Sequence, residues 1–167
     1  PSSWQAFYGF QARDWYAGIL GGSRYTSWAT AQDFAAENFG PFVARACTDL
    51  YLFSWLTTYS QAQLNYFIDV QLDLMRRNAA NVSGPGASTR SLVFVTPQYH
   101  PSDALAAQPV DPTLWQRLNE RLAARGDVDP VALGVYASFD PVTTIDWATW
   151  KATAPTLWPI FRTAWGL

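Results

Sequence analysis

His100 is the only histidine of the 167-residue chain, and Ser102 and Asp103 follow it closely. Its unperturbed pKa lies near neutrality, and acyl transfer uses these three types: a hydroxyl nucleophile, an imidazole base and a carboxylate that orients the base. Such a triad is set by positions in space, so closeness along the chain does little for it. Pro101 places the imidazole in a loop, which predicts an exposed or capping histidine, with Ser102-Asp103 opening a short helix over 104–107. Cys47 has no histidine within local reach to activate its thiol, so it is expected to be buried and inert. Glu37 beside Asp33, and Glu120 between Arg117 and Arg121, are accounted for by surface pairing before acid–base work.

Binding chemistry is equally sparse. One Cys and one His cannot ligate zinc, and Asp69 with Asp73, one helical turn apart, is a weak pair for a divalent ion; no metal and no cofactor is expected. Gly84-Pro85-Gly86 lacks the spacing and the lysine of a phosphate loop. Eleven basic residues against thirteen acidic give a net charge of −2, which argues against a nucleic-acid surface. No apolar run approaches the roughly 18 residues of a membrane span. Asn81-Val82-Ser83 fits the glycosylation pattern, but no intact signal peptide is visible at the N-terminus, so an intracellular or virion-associated setting is expected over a secreted one.

What the composition does supply is rings: nine Trp, eight Tyr and ten Phe. Trp and Tyr carry an apolar body and a polar edge, which suits surfaces buried on association. Such residues recur along elements with helical spacing. Residues 3–20 form an expected first helix with Trp4, Phe7, Tyr8 and Trp15 in its stripe, stopped by Gly21-Gly22, and 28–39 a second one. From Pro41 to Ala80 there is no glycine and no further proline, and steps of three and four from Val43 pass through Leu50, Phe53, Leu64 and Phe67. That spacing predicts one long helix over about 41–80, the alternative being two shorter helices joined near 57–60.

Residues 84–90 are expected to be a flexible link between an aromatic-rich helical region, 1–83, and a smaller mixed α/β region, 91–167, within what is expected to be a single domain. Ser91 to Val95 predicts a strand ended by Pro97, with 131–139 as its partner. Asp111-Pro112 opens a helix with the stripe Leu114, Trp115, Leu118, Leu122, ended by Arg125-Gly126. A last helix, 147–153, is expected to stop before Pro155 and Pro159, leaving Trp158, Phe161 and Trp165 on an extended or kinked tail.

The fold class expected from these patterns is mainly α, bundle-like, with a possible two-stranded β element. The expected function is that of a non-enzymatic structural or accessory subunit, such as a phage or virus particle component or a subunit of a multiprotein complex. It would pack against protein partners, of its own or another kind, through Trp4, Phe7, Tyr8, Trp15, Leu50, Phe53, Leu64, Phe67, Trp158, Phe161 and Trp165. Two alternatives stand beside it: a coat on a membrane or storage-polymer granule with the 41–80 helix lying flat, and a small enzyme or apolar-ligand domain using His100.

Overall fold

The structure is a computed structural model that describes residues 6–7, 45–80, 88, 90–100, 102–106, 108–132 and 147–167. Its elements are strands β1 (Ala6–Phe7) and β2 (Arg45–Leu52), a 3-10 turn (Ser54–Thr58), helix α1 (Gln61–Ala80), β3 (Ser91–Tyr99), α2 (Pro112–Ala123), β4 (Val128–Ala132) and α3 (Trp147–Trp165). The strands lie in the order β1-β2-β3-β4, and β1 pairs with β2 in parallel, Ala6 opposite Arg45. The expected mainly helical class is therefore corrected: among the described residues three helices accompany a parallel sheet, an α/β arrangement in which α1 and α2 connect successive strands.

The long helix over 41–80 does not exist. Leu50 and Leu52 are buried while Tyr51 between them is exposed, an alternation with the period of a strand. The three-and-four steps through Leu50 and Phe53 coincided with that pattern by chance. After the 3-10 turn, α1 starts where a capping box forms: Ser60 Oγ accepts from Gln63 N at 3.3 Å, and Gln63 Oε1 accepts from Ser60 N at 2.9 Å. The expected first helix is corrected at Ala6–Phe7, which are strand; its other residues and the expected 28–39 helix lie outside the described residues.

Two compact units divide the chain: Pro1–Asp49, Tyr66–Phe94 and Gly126–Pro130 form one; Leu50–Asn65, Val95–Arg125 and Val131–Leu167 form the other. In the first, Phe67, Ile68, Leu72, Val93 and Val128 are buried. Arg90 there ties the start of β3 to the start of β4: its Nε donates to Asp129 Oδ1 at 2.8 Å, and its other nitrogens donate to the carbonyls of Gly126 and Val128. The hydrogen bond to Asp129 raises the Arg90 pKa above its ordinary value. Gly126 follows α2 in the left-handed region, φ 69°, where a side chain would be strained.

Other corrections concern β3, β4 and α3. β3 does not end at Pro97 but runs to Tyr99; a proline lacks only its N–H, and the Pro97 carbonyl still accepts from Val110 N at 3.1 Å. The partner strand expected over 131–139 begins earlier, at Val128, and runs through Asp129-Pro130; residues 133–139 lie outside the described ones. α2 forms as its sequence predicts, with Asp111 Oδ1 accepting from Leu114 N at 2.9 Å and Pro112 in the first turn. α3 continues through both prolines to Trp165 instead of stopping before Pro155. Four residues apart, they fall on one exposed face, so the carbonyls they leave unpaired in the helix, those of Lys151 and Pro155, also belong to exposed residues.

Candidate functional site

Two places in the second unit gather chemistry, the packed pair α2–α3 and the carboxyl ends of β2 and β3. α2 buries Leu114, Trp115, Leu118, Asn119 and Leu122, and α3 buries Trp150, Leu157 and Phe161. The two helices pack together. The indole Nε1 of Trp115 donates to Leu157 O at 2.9 Å. Asn119 donates to Trp115 O at 2.8 Å and accepts from Trp165 Nε1 at 3.1 Å, so a fully buried amide is partnered at both of its ends. Along α3, Trp158 stacks on Phe161 at 5.3 Å, and Phe161 in turn meets Trp165 at 6.3 Å.

The outward face of α3 is different. Trp147 is 58% and Trp158 54% exposed, and at 100° per residue their separation of eleven residues, about three turns, puts them on one line. Lys151, Ala154, Pro155 and Arg162 share that side and are exposed too. The helix has no acidic residue, and Lys151 and Arg162 are its only charges. Beside it an open groove of about 650 Å³ is lined by Gln116, Glu120, Ala123 and Ala124 of α2 and by Pro159, Ile160, Thr163 and Ala164 of α3.

At the strand ends, His100 N donates to Leu52 O at 2.8 Å, which sets the imidazole among rings from the end of β2 and the turn after it. Tyr51 meets it edge-on at 4.7 Å and Phe53 at 5.2 Å; Phe53 stacks on Trp55 at 5.4 Å, and Trp55 meets Tyr59 at 5.4 Å. Ser102 N donates to His100 Nδ1 at 3.1 Å, so that nitrogen is an acceptor, the ring proton sits on Nε2, and Ser102 Oγ at 2.7 Å donates to Nδ1 as well. Burial lowers the His100 pKa, against the pull of Asp103. The Asp103 carboxylate accepts from Ser54 N and from Leu105 N, both at 2.8 Å. It orients the loop, and His100 has the geometry of a capped turn. Tyr99 Oη accepts from Asp111 N at 3.0 Å, and burial raises the Tyr99 pKa.

Of the residues expected at an interface, Leu50, Leu64, Phe67 and Phe161 lie in the chain's own interior, Phe53 is half-buried in the ring cluster, and Trp165 is half-buried on Asn119. Trp158 is exposed. Phe7 belongs to β1; Trp4, Tyr8 and Trp15 lie outside the described residues. Sequence reasoning missed Trp147, Lys151 and Arg162 as members of the face that holds Trp158; steps of three and four carried past Pro155 would have found them. No group of three or more metal-ligating side chains occurs among the described residues. No helix among them is long and apolar enough to cross a membrane. The chain matches no family model, no curated protein and no solved structure.

Proposed function

We propose that this chain is a non-catalytic subunit that packs against another polypeptide through the outward face of α3. The observation that carries this reading is the alignment of Trp147 and Trp158, each more than half exposed, on a helix whose only charges are Lys151 and Arg162. Exposed indoles aligned on a sparsely charged face lose little on desolvation and gain much on contact, which is the profile of interface anchors. The flat-lying coat rested on one helix over 41–80, and residues 45–80 are strand, 3-10 turn and helix. Hydrogen–deuterium exchange and sedimentation test the reading. Complex formation should protect α3 and fail for Trp158→Asp, whereas a folded wild-type chain that stays alone with its own and with copurifying chains removes it.

A second reading, a small-ligand site, is favoured by one observation: His100, Ser102 and the rings of Tyr51 and Phe53 meet at the carboxyl ends of two parallel strands, where open α/β sheets bind ligands. Neutral fragments should then shift the His100 Cε1 proton resonance and lose affinity in Phe53→Ala. Absence of any such fragment from a broad library counts against it.

A further inference from the structure

Resting on the reading of α3 as a docking face, we infer that its partner is a second copy of α3, laid antiparallel across it. The helix offers a partner the Trp147 indole, the face of Trp158 not stacked on Phe161, the Lys151 ammonium and the outer nitrogens of Arg162, whose Nε donates to Leu167 O at 3.2 Å, and no carboxylate. Its two cations can be answered by carboxylates or by π-systems, and the face itself carries indoles at the positions a second copy would need. When two copies cross between Ala154 and Pro155, Trp147 of one stands opposite Arg162 of the other, and Lys151 opposite Trp158. By the two-fold symmetry each of these pairs occurs twice, as an isologous interface requires. All four residues are exposed, and at the crossing stand Ala154, also exposed, and Pro155, whose compact ring adds little bulk. That allows axes to approach to the 8–10 Å of packed helices.

The prolines supply a second complementarity. Covering Trp158 requires an acceptor for its indole N–H, and the Lys151 carbonyl, released by Pro155, lies in the stretch that would face it. The same residue of the second copy thus offers an ammonium to the ring and a carbonyl to its edge. A lipid surface would engage the indoles without selecting the 151–158 and 147–162 pairings, and an unrelated protein would have no reason to match them.

Sedimentation equilibrium on the full chain should show a dimer with a micromolar dissociation constant, the low end for a helix-pair interface. Trp158→Ala should weaken it about thirtyfold and Lys151→Ala about tenfold, with circular dichroism unchanged. The exchanged variant carrying Lys151→Trp and Trp158→Lys keeps both pairs by symmetry and should return to within about threefold of wild type. A photo-crosslinking amino acid in place of Ala154 should capture residues 154–158 of the second copy. A monomer at about 100 µM, a folded exchanged variant that stays dissociated, or a crosslink to another segment overturns the inference. If the chain is monomeric but α3 is protected by a different protein and released by Trp158→Asp, self-pairing fails while the docking reading holds. If α3 instead binds neutral lipid vesicles through Trp147 and Trp158, both fail.

Discussion

α2 and α3 bury their inner sides in the same unit, yet their outward sides are finished in opposite ways. On α2 the exposed residues include Thr113, Gln116 and Glu120, with Gln116 Nε2 donating to Glu120 Oε1 at 2.8 Å. Arg117 reaches Gln61 Oε1 at 2.9 Å and Tyr59 O at 2.7 Å. On α3 the exposed side is built of indoles, alanine, threonine and proline with two cations. The polar side is hydrogen-bonded to its own neighbours. Burial of a second surface would cost α2 hydrogen bonds and would relieve α3 of exposed apolar area, so association has a direction built into the pair.

Removing the interior that the two helices share should have the largest effect. Trp115→Ala should cost about 4 kcal/mol of stability in urea denaturation, because a large buried ring and the hydrogen bond to Leu157 O go together. Asn119→Leu should cost about 2 kcal/mol in the same measurement, since it leaves the Trp165 indole without its acceptor while keeping the volume. Asp111→Ala, which removes the cap of α2, should cost about 1 kcal/mol. The contrast itself is sharpened by paired surface changes: Glu120→Ala and Trp147→Gln should each move stability by no more than about 0.5 kcal/mol, but only the second should change the sedimentation profile.

The smallest effect is that of pH. His100 titrates lower in the folded chain than in the unfolded one, so the unfolded state takes up the proton first. Its contribution to stability is intact above the ordinary histidine value of about 6.5 and is lost as the pH falls from there toward the folded value. His100→Asn should flatten the pH dependence of the melting temperature in that window. A dependence equal to wild type in the variant would show that other groups carry it.

How much of this was legible in the chain depended on where a local rule and the tertiary context agreed. α2 was readable in full, because Asp111-Pro112, the stripe from Leu114 to Leu122 and Gly126 all point to one element. The 41–80 stretch was misread because hydrophobic residues in a half-buried strand can also fall on a helical grid when the window is long. The Ser60-x-x-Gln63 capping box inside it marked the true helix start. By local rules the prolines of β3 and α3 read as stops. Each falls instead where a missing N–H is tolerated: Pro97 still accepts through its carbonyl, and Pro155 and Pro159 are on the exposed side. Trp158 is thus legible as a residue but not as part of a face, and Trp147 only as the start of the last helix. His100 and Ser102 were legible as neighbours, while the rings around them depended on the pairing of β2 with β3.

The two indole hydrogen bonds between α2 and α3 have a bearing on kinetics. Trp115 to Leu157 O fixes α3 near its middle and Trp165 to Asn119 near its end, and a slip of one turn or a roll about the axis would break both. The outward stripe is therefore held at a single azimuth before anything arrives. A partner meets an ordered template with little conformational search left to complete, so encounter should be limited by orientation, and differences in affinity among stripe variants should show up in how long the pair stays together.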